Sequence, residues 1–338
     1  MTTHDTFQLK ELLTPGTKAV ILTHKNPDGD ALGSSLGMKN YLDKLGVAAI
    51  SIVPNSFPKY FNWMQGSDTI INFEQQKEKA IEALNAAEVI FYLDFNNLSR
   101  MDEGLKTAAE NSVAYKVLID HHLQPDDIAD FVHHRVEASS TCELVYEFIT
   151  LMGDESKIDK NIGGCLYTGI MTDTGSFRFS STSAQTHLIA SKLIELGVEH
   201  TRIHDEVMST YTVDRMRFLG YCISDKLVVL PVFKTAYIAV TDEELKRFNN
   251  KPGDSEGIVN YALSIADVKF AAFFSEREKE IRISFRSSGG FDVNQFARKH
   301  FTGGGHAMAA GGKSDLSIAE TIKKFVEILP LYQAELAK

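Results

Sequence analysis

The sequence predicts an α/β protein: an N-terminal, mainly parallel sheet with helices on both faces, a helical connector, and a smaller C-terminal α/β domain with a mixed sheet. Three observations lead there. Short apolar runs alternate with helix-like stretches through the first half of the chain. Two helical stretches then follow one another, and beyond residue 226 a different set of strand-like segments begins. At 338 residues the chain exceeds one ordinary compact domain and suits two, each able to bury a core. The expected division is residues 1–195, a connector over 196–226, and 227–338.

Taken in order, Ala19 to Leu22 is an apolar run of the kind that fills a parallel sheet, and Asp30 onward reads as a helix ending near Gly46. The loop between them, within Ile21 to Gly33, carries His24, Asp28 and Asp30, all metal-ligand types. In open α/β sheets such strand-to-helix loops lie at the carboxyl ends of the strands, where ligands bind; Pro27 and Gly29 suit a turn that aims two carboxylates inward. Taken alone, the stretch reads equally well as a polar loop with an Asp helix cap.

The pattern recurs downstream. Ala49 to Val53 is the next strand, followed by a polar and aromatic loop with Pro54, Pro58 and Trp63, and Lys77 to Ala87 reads as a helix. Val89 to Leu93 ends in Asp94, a helical connection runs from Asn96 to Asn111, and Val117 to Ile119 ends in Asp120-His121-His122. The helix-like stretch Ile162 to Met171 ends at Asp173, before Thr174-Gly175. A lone Asp after a strand is commonly a cap or turn residue, but four such endings, one of them with two adjacent histidines, are hard to attribute to chance.

Between these, Phe131 to Val136 reads as an edge strand, and Ser139-Ser140-Thr141 opens a helix in which Ser140 and Glu143 have capping-box spacing. The neighbours His133 and His134 would point to opposite faces of a strand and read as surface residues. Helices are expected over Ser183 to Leu196, ending at Gly197, and from about Thr212 to Lys226. His187, His200 and His204, in or near this region, lack a carboxylate at ligand spacing and read as structural or exposed.

In the last third, Leu227 to Val232, Tyr237 to Val240, Lys269 to Ser275 and Glu280 to Arg286 read as strands, with Glu276-Arg277-Glu278-Lys279 as a hairpin turn. Thr302-Gly303-Gly304-Gly305-His306, followed by Ala310-Gly311-Gly312, reads as a glycine-rich loop. Consecutive glycines let backbone N–H groups approach an anion, and His306 adds a switchable donor. Arg286, near a strand end, or Arg298, on the helix preceding the glycines, would complete an anion pocket; Arg286 is the better candidate, since Arg298 reads equally as a solvated helix residue.

Composition excludes some functions. A net charge of -10 argues against a long nucleic-acid groove but allows a short phosphate ester held by metal ions. Cys142, Cys165 and Cys222 are isolated, so neither a disulfide framework nor a thiolate zinc site is indicated. No segment is apolar enough to cross a bilayer, and the N-terminus lacks the regions of a signal peptide, so the cytoplasm is the expected compartment.

His24-x-x-x-Asp28-x-Asp30, Asp94, Asp120-His121-His122 and Asp173, in that order, resemble the four motifs of the DHH phosphoesterase superfamily. Gly303-Gly304-Gly305-His306 with Arg286 upstream resembles its DHH-associated C-terminal domain. The resemblance covers nearly the whole chain and is strongest to the nanoRNase group, oligoribonucleases that also remove the 3'-phosphate of adenosine 3',5'-bisphosphate. It implies two divalent ions, manganese first, with magnesium or cobalt as alternatives. One would be held by His24, Asp28 and Asp94, the other by Asp30, Asp94, His121 and Asp173, with Asp94 bridging. A mixed oxygen and imidazole set accords with that choice of metal. Two ions roughly 3.5–4 Å apart activate a bridging water and stabilise phosphoryl charge. By the same resemblance, Asp120 orients a histidine and His122 is placed to donate to the phosphate. His306, the glycine backbone and Arg286 would contact the substrate's terminal phosphate or base. Arg178, just beyond Asp173, is a further phosphate contact or an exposed arginine.

The expected partners are short RNA oligonucleotides, pApA among them, and nucleotides. Long duplexes and membranes are not expected, and a homodimer is allowed. Two other readings compete: an inorganic pyrophosphatase or exopolyphosphatase of the same superfamily, which should lack the Gly-Gly-Gly-His signature, and a non-catalytic nucleotide-binding protein, which should have lost a ligand.

Overall fold

The computed structural model describes residues 3–209, 211–251, 253–277 and 280–337. The chain divides into two compact units, Met1–Thr210 and Tyr211–Lys338. Residues 196–226 are therefore shared between the two units.

The first unit runs α1 (Thr3–Leu12), β1 (Lys18–Leu22), α2 (Gly29–Lys44), β2 (Ala48–Val53), β3 (Ile71–Asn72), α3 (Lys77–Ala86), β4 (Val89–Leu93), α4 (Glu103–Asn111), β5 (Tyr115–Asp120), β6 (Phe131–His134), α5 (Thr141–Leu151), α6 (Lys160–Asp173), α7 (Ala184–Glu195) and α8 (His200–Met208). Among the described residues its sheet has six strands in the order β3-β2-β1-β4-β5-β6, and every pairing is parallel. Strand order reverses between β1 and β4, so the loops leaving those two strands flank a switch point, where open α/β sheets form their ligand crevices.

Continuous apolar runs make these strands because both faces are covered. Along β4, Val89, Phe91 and Leu93 enter one core, shared with α2, α5 and α6; Ile90 and Tyr92 enter the other, shared with α3 and α4. Helix α2 ends as the sequence implies, with Gly46 in the left-handed conformation (φ +77°). Helices α2 and α6 meet at backbone distance: a Cβ on Gly33 would lie 2.5 Å from the Cys165 carbonyl oxygen.

Three local expectations change. The capping box at Ser140 is only half formed. Ser140 Oγ accepts the Glu143 N–H (3.1 Å), but the fully buried Glu143 carboxylate turns to Arg135, Ser139 and Thr186. His133 and His134 are not surface residues; both are half-buried, and His134 Nε2 lies 2.7 Å from the His122 carbonyl. The short β3, in the predicted loop, adds an edge that the sequence left unread.

The second unit runs α9 (Val213–Ser224), β7 (Leu227–Leu230), β8 (Thr235–Val240), α10 (Asp242–Arg247), α11 (Ile258–Leu263), β9 (Phe270–Arg277), β10 (Glu280–Ser287), α12 (Val293–His300), β11 (Thr302–His306), β12 (Ala309–Ser314), α13 (Ile318–Ile328) and α14 (Gln333–Leu336). Among the described residues its sheet also has six strands, in the order β11-β12-β10-β9-β8-β7. It is mixed, because β8 pairs parallel to β9 while the other pairings are antiparallel. An aromatic core fills it: the Phe270 ring centre is 4.9 Å from those of both Phe291 and Phe296. Of the expected hairpin turn, Glu276 and Arg277 belong to β9, and Glu278 and Lys279 lie outside the described residues.

The glycine-rich segment is a strand, not a loop. β11 pairs antiparallel with β12, placing Gly303 opposite Gly312 and Gly304 opposite Gly311. A Cβ on Gly303 would lie 2.1 Å from the Gly311 carbonyl oxygen, so glycine is required there by backbone approach.

Candidate metal centre

The strand ends of the first unit deliver one cluster. After β1, His24 is buried, with Nδ1 2.9 Å from the Lys25 carbonyl, which turns Nε2 toward Asp94 Oδ2 (3.3 Å) and Asp28 Oδ1 (3.9 Å). Asp28 caps α2, its Oδ1 accepting the N–H groups of Asp30 and Ala31 at 3.1 Å each. Asp30, in the first turn of α2, is 1% exposed. Its Oδ2 accepts the Thr141 N–H at 2.6 Å and its Oδ1 the Cys142 N–H at 2.9 Å, so a buried anion sits on the N-terminus of α5.

Asp94 leaves β4 in the left-handed region (φ +67°), a conformation that Asp tolerates better than most residues. Its two oxygens face different neighbours. Oδ2 is toward His24; Oδ1 lies 3.6 Å from His121 Nε2 and accepts the Thr141 hydroxyl at 3.0 Å. His121 is held by the Ala138 carbonyl at Nδ1 (3.2 Å). Its Nε2 lies 3.5 Å from Asp173 Oδ2 and 3.7 Å from Asp30 Oδ2. Asp173 ends α6 and, like Asp28, is partly open, its side chain 30% exposed against 44% for Asp28.

Charge in this cluster is strongly perturbed. Burial, reinforced by Asp30, Asp28, Asp173 and Asp120, pushes the Asp94 carboxyl well above the usual carboxylate range. Burial raises Asp30 as well, and His121 only partly opposes it. Burial pushes His121 down, yet Asp173, Asp30 and Asp120 outweigh it and leave this imidazole raised. A crowd of buried carboxyls is stabilised by a compensating cation, and the donor atoms fit one. His24, Asp28 and Asp94 bring ligand atoms within 4.8 Å of one another, and so do Asp30, Asp94 and His121. Oxygen and imidazole without thiolate suit a hard or borderline divalent ion. Cys142 is beside the cluster, but burial pushes its thiol well up, and its Sγ lies 3.6 Å from the Asp30 carbonyl.

Asp120 and His122 pair with each other next to Asp94, whose Oδ1 is 3.8 Å from His122 Nδ1: Asp120 Oδ1 is 2.7 Å from His122 Nδ1, and Oδ2 accepts the His122 N–H at 3.1 Å. Burial, then Arg100, hold His122 well below the ordinary imidazole range. Arg100 is a residue that sequence reading missed. It is half-buried, and its carbonyl accepts the Lys25 N–H (2.7 Å). Its charge reaches both His24 and His122, yet only its place shortly after Asp94 could have marked it.

The remaining candidates are on other elements. Arg178 is exposed, with its guanidinium 5.4 Å from the ring of its neighbour Phe179. In the second unit, Arg286 is on β10 and donates from Nη1 to the Phe285 carbonyl at 3.0 Å. Gly303, Gly304, Gly305 and His306 form β11. Gly305 N–H donates to Asn294 Oδ1 (3.0 Å), which also accepts from Arg298 Nε (3.1 Å); Arg298 is exposed, as expected, and is tied to this strand through Asn294. Among the described residues no helix is long and apolar enough to cross a membrane.

Comparison with known proteins follows the same division. Residues 18–170 match the DHH family, N-terminal domain, and residues 232–333 match the DHHA1 domain. A crystal structure of an exopolyphosphatase-related protein from Bacteroides fragilis is 38% identical, with a TM-score of 0.94 over 100% of this chain and 98% of that one. A probable bifunctional oligoribonuclease and PAP phosphatase NrnA from Streptococcus mutans is 25% identical over 91% of this chain and 93% of its own. The Thermus thermophilus protein named bifunctional oligoribonuclease and PAP phosphatase NrnA is 29% identical over 86% of this chain and 82% of its own.

Proposed function

Because the chain belongs to the DHH family of phosphoesterases and carries a DHHA1 domain, we propose that it hydrolyses short oligoribonucleotides, pApA included, to nucleoside 5'-monophosphates and removes the 3'-phosphate of adenosine 3',5'-bisphosphate. The observation that carries the proposal is the split of Asp94 between two donor sets, one oxygen toward His24 and the other toward His121. His24, Asp28 and Asp94 would hold one divalent ion, and Asp30, Asp94, His121 and Asp173 a second, with manganese the expected metal. Bound there, such ions supply a polarised water and neutralise charge developing on the phosphoryl oxygens.

The chain's own groups do the rest. Asp120 fixes the rotation of His122 by accepting a hydrogen bond from its Nδ1–H, which leaves Nε2 to exchange a proton with the phosphate ester. Arg286, His306 and the β11 backbone would hold the remaining phosphate or base, and Arg178 is a further candidate for that contact. The names borne by the S. mutans and T. thermophilus relatives support the substrate class.

A second reading, an exopolyphosphatase or pyrophosphatase, has its exopolyphosphatase form favoured by the name of the B. fragilis relative. One assay separates the two: manganese-loaded protein offered pApA, adenosine 3',5'-bisphosphate, a five-nucleotide RNA, pyrophosphate and polyphosphate in parallel. Turnover of the nucleotides with inert pyrophosphate and polyphosphate is expected, and the reverse pattern would replace the proposal with the second reading.

A further inference from the structure

The first turn of α5 also reaches the candidate ligands. Ser139, Ser140, Thr141 and Glu143 have no exposed surface. Ser140 Oγ accepts the Glu143 N–H, which is the whole task of a helix cap. The Thr141 hydroxyl is not needed for that task. It donates instead to Asp94 Oδ1 at 3.0 Å, across 47 positions of sequence, while the Thr141 N–H donates to Asp30 Oδ2 at 2.6 Å. One residue thus touches both of the most buried carboxylates of the cluster.

We propose that Thr141 is a positioning residue for the metal centre: its hydroxyl fixes the rotation of the Asp94 carboxylate so that Oδ2 faces His24 and Oδ1 faces His121, each in a donor set that would hold one ion. The inference rests on the metal-centre reading above and adds the device that makes Asp94 a bridge. A carboxylate at the end of a strand rotates about its terminal bond within a broad well. A hydrogen bond to Oδ1 alone distinguishes the two oxygens and leaves Oδ2 free to face His24. The donor is itself immobile. Thr141 is β-branched and buried, and the turn that carries it is braced by Glu143. The Glu143 carboxylate accepts from Ser139 Oγ (2.6 Å), Thr186 Oγ1 (2.8 Å) and Arg135 Nη2 (3.1 Å).

The test compares the full chain with Thr141→Val, which keeps the volume and removes the donor, and Thr141→Ser, which keeps the donor. Manganese binding is followed by isothermal titration and by the EPR signal of free ion, and kcat and KM for pApA are measured at saturating metal. Thr141→Val is expected to weaken manganese binding about 10- to 100-fold and to lower kcat more than it raises KM, with Thr141→Ser restoring both to within a few-fold. Wild-type affinity and stoichiometry in Thr141→Val would overturn the inference. So would a Thr141→Ser variant as defective as Thr141→Val, since the methyl and not the hydroxyl would then matter. A wild-type protein that binds no manganese would instead remove the metal-centre reading itself, so the two failures are distinguishable.

Discussion

Asp120 and His122 meet twice: the imidazole Nδ1 is 2.7 Å from one carboxylate oxygen, and the His122 backbone N–H donates to the other at 3.1 Å. With the carboxylate ionised, Nδ1 must carry the proton of that contact, so Nε2 is left as the acceptor. Burial and the nearby Arg100 favour the neutral ring. A second fixed point comes from His134, whose Nε2 lies 2.7 Å from the His122 carbonyl.

The first prediction concerns this pair. In Asp120→Asn, an amide N–H aimed at Nδ1 would force the other tautomer and turn Nε2 from acceptor to donor. We expect turnover to fall about 10- to 100-fold while manganese affinity changes only a few-fold, because neither residue belongs to the two proposed ligand sets. Steady-state kinetics at saturating manganese, set beside a metal titration, checks both halves. Loss of metal binding in step with turnover would place the pair among the ligands.

The second prediction separates chemistry from substrate capture. Asp94→Ala removes the carboxylate that, among the described residues, belongs to both donor sets, so turnover is expected to vanish even at high manganese, as it should on chelation of the wild type. His306→Ala, in the second unit, is expected to raise KM for pApA more than it lowers kcat. Wild-type rates in both variants would refute the scheme.

How far the sequence spoke can be judged at these positions. Asp94 and Asp120 were legible because parallel strands buried on both faces read as unbroken apolar runs, and a charged residue that ends one lies at the sheet's carboxyl edge. Thr141 was not: a hydroxyl at a helix start reads as a cap, and nothing local reveals a partner as distant as Asp94. Glu143 was misread for the same reason, since its spacing from Ser140 satisfies the capping-box rule while Arg135, Ser139 and Thr186 compete for its carboxylate. Glycines 303–305 were read as a loop because glycine signals turns and close backbone approach alike. Only the register against Gly311 and Gly312 tells the two apart.

The third prediction is a pH dependence in the second unit. Glu244 is partly buried, which alone would raise it. Lys226 Nζ (2.8 Å), the Tyr221 hydroxyl and the Thr241 N–H (2.8 Å) outweigh this and hold it down to about 2, against an ordinary 4.5. A depressed carboxyl stabilises the fold above its unfolded value and loses that contribution as pH falls through the window from about 4.5 to about 2. With its side chain 19% exposed, the contribution at neutral pH should be on the order of 2 kcal/mol. Glu244→Gln should therefore be less stable than wild type at pH 7 and converge on it near pH 2 to 3. Chemical denaturation across that range measures the difference, and a gap independent of pH would rule the ion pair out as its source.

The last prediction tests how α6 is seated against α2. A Cβ on Gly169 would lie 2.2 Å from Cys142 Sγ, 2.7 Å from Asp30 Oδ1 and 3.0 Å from Asp30 Cα. Asp30 cannot give way without breaking its bonds from Thr141 and Cys142, and Cys142 is itself one of those donors. The added methyl must therefore push α6 off α2 or move Asp30 away from the N-terminus of α5. Gly169→Ala should then cost about 1–3 kcal/mol as overpacking and weaken manganese binding, because Asp173 rides on the same helix. Gly164 supplies the control, since it is on α6 too but has nothing within 4 Å of its would-be Cβ. There the change to Ala should be neutral or stabilising by up to about 1 kcal/mol, through helix propensity. Denaturation midpoints and manganese titrations of both variants decide the matter: equal effects at the two glycines would mean that helix propensity, and not the contact with Asp30, governs this crossing.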